Sequence, residues 1–394
     1  MTDPHPTDTP SDVPGPEDAT ALSEADAPAV PPLESSAAEG TEEPAPSTSV
    51  GALPMPVVSV QAEVKDFHFP PVINGLDFLA RAVQELAPES PRADLKYGIL
   101  HLQAAAETLF KARLEMHDPV LVWRSPEGFD KEKHQAGDFK SHDLENTLRA
   151  LRKQVKEKAL NLHTSVPAWK PDLKALSDLR NRIAHFGGRD TRLAVQARVL
   201  PILHLVFDLV REDIWPYVLS SNAVHPGDME TAGSYLPRIR RSLGKLDDFV
   251  AQRHESIRAQ LAGHERSTIA CRACGQFAVV LDGRMVDLKC HFCGKTYGSG
   301  AERAWSYVGS DPLTQCGAGT REVFPCGFCD EEAVIVASTK AAPQKTIAFC
   351  FACDTHHDGI CGDCEHGRSL NEFGLCDACT GMRVGSFGEK RGSP

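Results

Sequence analysis

The stretch LRNRIAHFGG at 179–188 brings together three side chains whose chemistry suits a phosphodiester. The imidazole of His185 can accept and donate protons near neutral pH. The guanidinium of Arg180 can hold a phosphate through paired hydrogen bonds, and the amide of Asn181 can fix its orientation. Metal-free cleavage of RNA requires groups of these kinds. The competing interpretation is an ordinary solvated helix face.

This stretch lies at the end of an amphipathic helix predicted over 173–186. Asn181 and His185 are four positions apart and are therefore neighbours on one face. Asp178 shares that polar side and is expected to pair with Arg182. Gly187 and the glycine after it are expected to end the helix. The side expected to face the core carries Leu176, Leu179, Ile183 and Phe186.

Cysteine is the second residue type whose spacing indicates chemistry. Twelve of the 13 cysteines fall in six Cys-x-x-Cys pairs. Four thiolates suit a closed tetrahedral Zn²⁺ site, so we expect about three structural zinc ions. The first set is Cys271, Cys274, Cys290 and Cys293. Taken in sequence, the second set is Cys326, Cys329, Cys350 and Cys353, and the third is Cys361, Cys364, Cys376 and Cys379.

The pairing of the last four motifs stays open at this point. Sequential modules are the preferred interpretation, and a cross-braced arrangement would join 326/329 with 361/364 and 350/353 with 376/379. Short β-type runs flank the cysteines, with an Asp282-Gly283 turn between two of them, as expected for zinc ribbons. Two complete sets leave no need for histidine ligands. Cys316 is left over and is interpreted as a thiol without a catalytic base.

The elements that must position the Arg/His stretch are helical. Apolar periodicity predicts helices over 73–87, 94–116, 141–160, 173–186 and 191–215, with a kink at Pro201, and a further helix over 236–263. Small residues at 104–106 permit close packing of a neighbouring helix, and Glu107 should pair with Lys111. An irregular connection is expected over 117–140. These elements predict an all-α bundle.

Residues 74–215 resemble the HEPN superfamily. The resemblance rests on Arg180-Asn181 followed by His185, and on an earlier helix at 95–114 that carries Glu107 and a Lys-Ala pair at 111 and 112. Two other Arg/His pairs with similar spacing lack a polar residue after the arginine. The resemblance implies a bundle that dimerises and a metal-independent endoribonuclease in which the ribose 2′-hydroxyl attacks the neighbouring phosphate. It also implies the role of general acid/base for His185, of phosphate clamp for Arg180 and of positioning group for Asn181.

Charge and composition limit the remaining choices. Residues 1–64 hold 12 of the 54 acidic groups and no Lys or Arg, so the remaining 42 acidic groups balance the 42 basic ones. This Pro-rich acidic segment is expected to be disordered. The most apolar stretch, at 199–210, is short and contains a His and an Asp, so no membrane span is expected. Paired cysteines on a chain without an export signal favour metal chemistry in the reducing cytoplasm.

Together these patterns predict a mainly α protein followed by small β zinc ribbons. The expected segments are a tail over 1–64, a HEPN-like bundle over 73–220, a linker helix over 234–264 and ribbons over 268–300, 322–355 and 358–382. The expected partners are an RNA substrate, a second copy of the chain through the bundle, and a protein on the last two ribbons, where nine acidic residues outnumber three basic ones. The alternative function is a non-catalytic dimeric zinc-binding adaptor.

Overall fold

The computed structural model describes residues 69–164, 169–187, 190–221, 224–281, 287–309 and 321–388. The predicted tail, the Asp282-Gly283 turn and Cys316 lie outside these residues. Helices form the first part of the described chain and small antiparallel sheets with cysteine clusters form the second, which confirms the predicted fold class. The helices before the first strand are α1 (Pro71–Glu85), α2 (Arg92–Glu115), α3 (Lys131–Ala136), α4 (Leu144–Lys156), α5 (Trp169–His185), α6 (Arg192–Asp208), α7 (Trp215–Ser220), α8 (Pro226–Leu243), α9 (Asp247–Ser256) and α10 (Arg258–Leu261).

Helix α2 lies at the centre of the bundle and packs against α1, α4, α5 and α6. The small residues predicted to permit close approach are buried in part, with Ala105 and Ala106 fully inaccessible. Gly75 of α1 shows how near the two axes lie, since a Cβ there would be 2.6 Å from Leu109 Cγ. The predicted Lys111–Glu107 pair forms, with 2.6 Å between Nζ and Oε1. Close packing around α2 therefore fixes the helices on either side of it.

The connection predicted as irregular, 117–140, is ordered around Trp123. Its indole ring stacks on Phe139 at a centroid distance of 4.7 Å and meets Phe129 edge-on at 5.4 Å. The indole Nε1 donates a hydrogen bond to Nδ1 of His134 at 3.0 Å, and Nε2 of that histidine lies 3.0 Å from Glu115 of α2. This aromatic cluster ties α3 to the end of α2.

The connection between α4 and α5 is held by a buried carboxylate. Asp213 lies in a π-helical turn (Leu209–Ile214) that continues α6, and its side chain is 1 % exposed. It accepts hydrogen bonds from the backbone N–H of His163 at 2.8 Å and of Thr164 at 3.3 Å, and from the Thr164 hydroxyl. These bonds anchor the chain shortly before α5 and so help to place that helix.

The stretch Arg192–Ser220 is the one described helix that is long and apolar enough to span a membrane by length and composition. In the fold, half of its most apolar window is buried inside the protein. Leu203 and Val206 are fully inaccessible, and Pro201, the predicted kink position, lies on an exposed side within α6. This helix therefore contributes a large part of the core of the bundle.

A six-stranded sheet joins the first two cysteine modules. Its strands are β1 (Thr268–Ala270), β2 (Phe277–Val280), β3 (Phe324–Pro325), β4 (Glu332–Thr339), β5 (Ala342–Cys350) and β6 (His356–His357), in the order β2-β1-β4-β5-β6 with β3 also on β4. All of these pairs are antiparallel, and Ile269 opposite Thr339 links the two modules. The runs AVIVAS and KTIAF, two of the short β-type runs near the cysteines, lie in β4 and β5 and pair with each other.

The first cysteine module packs directly against the helices. Where a single linker helix was predicted over 234–264, the chain forms the end of α8, then α9 and α10. From α9, Arg253 is 4 % exposed and donates from Nε to the Phe292 carbonyl at 3.1 Å and from Nη1 to Asp208 of α6 at 3.0 Å. Phe249 meets Phe292 edge-on at 5.9 Å. Helices, first module and second module consequently share one continuous core.

The third module has a small core of its own. A short ladder of β7 (Gly359–Ile360) and β8 (Gly367–Arg368) precedes the last described helix, α12 (Asp377–Gly388). A seven-residue helix, α11 (Glu302–Val308), lies earlier, between the first two modules in sequence. The buried cluster of the third module comprises three of its cysteines and stands apart from the main core. The third module is attached to the second by a hydrogen bond from the Gly327 N–H to the Gly367 carbonyl at 3.0 Å.

Candidate functional site

The 12 cysteines that the structure describes form three groups of four, and none is in a disulfide. Within each group the four sulfur atoms lie within 4.8 Å of one another. The groups follow the sequence order, so the sequential pairing of the last four motifs is confirmed and the cross-braced alternative is wrong. No histidine replaces a cysteine in any group. Short connections within each module bring its own two motifs together before the next module begins.

The spacing of the sulfur atoms fits a metal ion. Cys271 and Cys293 are 3.7 Å apart, and Cys274 and Cys290 are 3.8 Å apart. A disulfide would require about 2.05 Å. Four thiolates placed tetrahedrally at about 2.3 Å from a central Zn²⁺ would be about 3.8 Å from one another. The donor set and its dimensions therefore fit a closed tetrahedral site, and no position is left open for a substrate.

Five of the six motifs share one backbone feature, which is a residue with positive φ directly after the second cysteine; the sixth motif is followed by Thr380, which lies in α12. Glycines occupy this position in the first module, with φ of 76° at 275 and 70° at 294. Non-glycine residues occupy it later, with φ of 59° at Asp330 and Asp354 and 55° at Glu365. This turn directs backbone N–H groups at the sulfur atoms, as in the 3.4 Å contact from Cys293 N to Cys290 Sγ. Such hydrogen bonds stabilise the thiolate form that binds a metal.

Side chains outside the cysteine sets also contact the sulfur atoms. The Tyr297 hydroxyl lies 2.9 Å from Cys271 Sγ, and Nε2 of His357 lies 3.3 Å from Cys326 Sγ. Both groups are buried and can donate a hydrogen bond to a thiolate. His291, inside a motif of the first module, is half-buried, and burial lowers the pKa of its imidazole. The sequence pattern identified the ligands but gave no signal for Tyr297, which lies 26 residues from its cysteine.

The Arg/His stretch lies at the C-terminal end of α5, as predicted. Arg180, Asn181 and His185 are all exposed, so none of them contributes to the core. The Arg180 guanidinium donates from Nη1 to the amide oxygen of Asn181 at 2.9 Å. His185 is the last residue of the helix, and no side-chain hydrogen bond or ion pair holds it among the described residues. The structure thus brings the arginine and the amide together and leaves the imidazole in solvent.

Two expectations about this helix are wrong. Phe186 is 94 % exposed and does not lie in the core. The helix ends at His185, and the chain then turns away at Gly187, which has a φ of 83°. Leu176 and Leu179 are buried as predicted. Asp178 pairs with Lys174 at 2.8 Å instead of Arg182. Arg182 pairs with Asp190, at 3.0 Å.

A cleft of about 620 Å³ runs beside the same helix, between α2, α4 and α5. Arg180 and Asn181 line one end of it, whereas His185 is not among the lining residues. Gln103 of α2 and Arg152 of α4 also line the cleft. Apolar periodicity assigns each of them to a helix face but does not indicate that they belong to a site. Such a cleft requires three helices to meet. Sequence patterns describe each helix singly, so they could not predict it.

Basic residues cluster on two helical segments. On α4 and just after it, Arg149, Lys153, Lys156 and Lys158 are exposed. On α8 and just after it, Arg238, Arg241 and Lys245 are exposed as well, whereas Arg240 is 9 % exposed and donates from Nε to the Cys293 carbonyl at 3.3 Å, so it attaches the first module to the bundle. The α4 segment also supplies Arg152 to the cleft. No protein-family model, no curated protein and no solved structure matches this chain.

Proposed function

We propose that this protein is a metal-independent endoribonuclease whose reacting groups are Arg180, Asn181 and His185. The observation that supports the proposal is the pairing of cations along α5. Lys174 and Arg182 each have a carboxylate partner, at 2.8 and 3.0 Å. Among the described residues Arg180 has none, and its guanidinium is held only by the Asn181 amide. A positioned guanidinium without a carboxylate is suited to bind a phosphate.

In the proposed reaction, the ribose 2′-oxygen forms a bond to the adjacent phosphorus and the bond from phosphorus to the 5′-oxygen breaks. His185 accepts the 2′-hydroxyl proton, and a protonated imidazole supplies a proton to the leaving 5′-oxygen. Arg180 stabilises the charge that develops on the phosphate oxygens. The products are a 2′,3′-cyclic phosphate and a 5′-hydroxyl. No step uses a metal ion.

A second copy of the chain is part of the proposal. In one chain the imidazole of His185 is exposed, and an active site works best where water is excluded. Two large apolar side chains are also exposed, Phe186, which follows His185 in the chain, at 94 % and Leu193 at the start of α6 at 74 %. Burial of such side chains stabilises an interface. We propose that two copies meet through this end of the bundle and bring their His185 residues into a shared groove.

The decisive experiment compares His185→Ala and Arg180→Ala with the wild type on single-stranded RNA. The reaction contains no added divalent ion, and metal analysis shows that the protein keeps its bound metal. Loss of a general acid/base should slow cleavage by at least about 100-fold. Arg182→Ala and His117→Ala are matched controls, since both residues are exposed and lie outside the proposed site. The enzyme proposal would be wrong if the two control variants cleaved RNA as slowly as His185→Ala and Arg180→Ala. It would also be wrong if the wild type did not cleave RNA.

We also propose that the metal in each cysteine group is zinc, which holds the modules in their fold. Tetrahedral four-thiolate sites bind zinc or iron, and the cytoplasmic location we propose keeps thiols reduced. Elemental analysis of the purified full-length chain should find about three zinc atoms per chain, one for each group of four cysteines. Iron in place of zinc would give a coloured protein and overturn the assignment.

A second candidate function is a dimeric metal-binding adaptor without catalysis. It is favoured by aromatic side chains exposed on the last two modules, Phe328 at 77 % and Phe373 at 76 %. The segment 326–379 that carries them has nine acidic and three basic residues, a balance that disfavours nucleic acid and favours a protein partner. An adaptor would leave RNA intact in the experiment above, so the same comparison separates the two functions.

A further inference from the structure

Two of the six cysteine motifs carry a phenylalanine at the same position. They read Cys-His-Phe-Cys at 290–293 and Cys-Gly-Phe-Cys at 326–329. Phe292 of the first module is fully inaccessible, whereas Phe328 of the second module is 77 % exposed. A single exposed apolar side chain is common on proteins and does not by itself indicate a partner. The surroundings of Phe292, however, show what a side chain at this position can bind.

The two motifs have the same backbone hydrogen bonds. In the motif at 290–293, the N–H of the first cysteine donates to the carbonyl five positions further on at 2.9 Å, and its own carbonyl accepts from the N–H four positions further on at 2.8 Å. The motif at 326–329 has both bonds, each at 2.9 Å. The residues that follow the two motifs, Gly294 and Asp330, have φ of 70° and 59°. The backbone therefore places Phe292 and Phe328 in equivalent positions.

Helix α9 covers Phe292 with aromatic rings and a guanidinium. Phe249 meets the Phe292 ring edge-on at 5.9 Å, and Arg253, four residues further along the helix, donates from Nε to the Phe292 carbonyl at 3.1 Å. The ring of His254 lies 5.5 Å from the same phenylalanine. Residues four apart lie on one face of a helix. The equivalent partner for Phe328 is therefore a helix that carries an aromatic residue and an arginine at this spacing.

The second motif is uncovered and more acidic than the first. Among the described residues no aromatic ring packs on Phe328, and no donor bonds to its carbonyl. Where the first module continues with Gly294 and Lys295, the second continues with Asp330 and Glu331, whose side chains are exposed and have no ion-pair partner in the described part of the chain. Complementary charge favours the correct partner and disfavours others. The exposed flank of the docked helix should therefore be basic.

We propose that the motif at 326–329 docks an amphipathic helix of another protein. An aromatic residue of that helix packs on the Phe328 ring, and an arginine four residues further on donates to the Phe328 carbonyl. Basic side chains beside them face Asp330 and Glu331. The inference goes beyond RNA cleavage, because the helix can dock whether or not the bundle cuts RNA. The same two carboxylates would repel the phosphates of a nucleic acid.

Fluorescence anisotropy with the metal-loaded full-length chain tests the proposal. The probe is a labelled peptide with the sequence of residues 246–257, which carries Phe249 and Arg253 at the required spacing. A cross-link between positions 251 and 255 holds the peptide helical, since so short a helix is not stable alone. Both positions are exposed in α9, so the cross-link leaves the docking face free. We expect the wild-type protein to bind this peptide and not its Phe249→Ala form.

Two exposed phenylalanines provide a matched pair of variants. Phe328→Ala should weaken binding of the peptide by about 30-fold, the scale of a central aromatic residue in an interface. Phe373→Ala is the control, because Phe373 is exposed to the same degree, at 76 %, but lies outside every Cys-x-x-Cys motif. Its binding should equal that of the wild type. Metal analysis and circular dichroism show that both variants keep their metal and their fold.

A second peptide tests the charge of the partner. It carries Asp247→Lys and Asp248→Lys, and it should bind the wild-type protein more tightly than the first peptide does, because it faces a more acidic surface. Glu331→Lys gives the second module the residue type that the first module has at Lys295. This variant should reduce or abolish the preference for the lysine peptide.

Several results would contradict the proposal. One is a wild-type protein that binds neither peptide, and another is an equal loss of binding in Phe328→Ala and Phe373→Ala. Self-association of the chain that Phe328→Ala abolishes would assign the surface to a second copy and so overturn the assignment to another protein. RNA is absent from these measurements, so their outcome is independent of the nuclease proposal.

Discussion

At the scale of single residues, the positive-φ turn that follows the second cysteine in five of the six motifs places the strictest demand on side-chain type. A positive φ costs an ordinary residue about 1–2 kcal/mol, and glycine escapes this cost. The first module uses glycine at both turns, whereas the later modules use Asp and Glu. The latter choice lowers the stability of the apo turn, and metal binding would offset this loss. The first module is accordingly the one with the least strained turns.

Gly294 has a second constraint that Gly275 lacks. A Cβ at 294 would lie 2.4 Å from Arg211 Cδ, whereas a Cβ at 275 would meet nothing within 4 Å. Arg211 cannot move freely, since it is ion-paired with Asp208 at 3.0 Å and Glu212 at 2.8 Å. We expect Gly275→Ala to lower the free energy of unfolding by about 1–2 kcal/mol and Gly294→Ala by roughly twice that.

Chemical denaturation of the metal-loaded variants measures this difference. The two substitutions add the same methyl group at equivalent turns of one cluster, so each controls for the other. Equal losses of stability would show that Arg211 yields without cost and would contradict the close contact between the turn and α6.

At the scale of elements, α6 carries a histidine whose environment disfavours charge. The His204 ring stacks on Phe249 of α9 at 4.0 Å, and its Nε2 is buried without a hydrogen-bond partner in the described residues. Burial first, and the nearby Arg253 second, lower the pKa of this imidazole from 6.5 to about 4. The packing of α9 on α6 therefore requires the neutral ring.

The resulting pH dependence has a defined sign. Between pH 6.5 and about 4 the unfolded chain binds a proton at His204 that the folded chain does not. Stability is therefore unaffected by this group above pH 6.5 and decreases as the pH falls below it. Going from pH 7.5 to pH 5 should cost about 2 kcal/mol through His204.

His204→Phe keeps a ring on Phe249 and removes the titration. Denaturation at several pH values should show a shallower loss of stability for this variant than for the wild type. The exposed His117→Gln serves as control, and it should follow the wild type. Parallel curves for His204→Phe and wild type would show that the ring is protonated without cost in the fold.

The elements themselves were largely predictable from sequence. Apolar periodicity located α1, α2, α4, α5 and α6, because each of these helices buries one stripe. The spacing of the cysteines predicted all three clusters, since each Cys-x-x-Cys motif is formed by residues that are adjacent in sequence. Apolar periodicity predicts Phe186 in the core because it does not show at which residue a helix ends. The cleft beside α5 and the contacts of Asp213 with the chain before α5 depend on long-range packing, which no single-element pattern contains.

At the scale of the whole molecule, the three cysteine clusters are not equivalent. The first contacts α8 through Arg240 and α9 through Arg253. At the end of α8, Gly244 has no side chain and so allows the Cys274 carbonyl to approach closely. The second is joined to the first through the sheet. The third has a separate small core. Loss of metal from the first cluster should therefore affect the helices, and loss from the third should not.

Single cysteine substitutions test this expectation. Cys290→Ala removes a ligand of the first cluster and should lower the midpoint of helical unfolding by roughly 10 °C or more, since it costs several kcal/mol of metal binding. Cys376→Ala is the matched control in the third cluster, and its helical unfolding should stay within about 2 °C of wild type. Circular dichroism at 222 nm follows the helices, and elemental analysis should show about one metal ion fewer in each variant. Equal shifts in the two variants would show that the clusters contribute alike.

The contact between Phe249 and Phe292 also dictates an order of assembly. The ribosome synthesises residue 249 before residue 292. This face of α9 therefore lacks its packing partner until the first cysteine module has been made and can bind its ion. During that interval the buried arginine of α9 lacks its carbonyl acceptor. We therefore expect maturation of the helical part to depend on ion supply at the moment of synthesis.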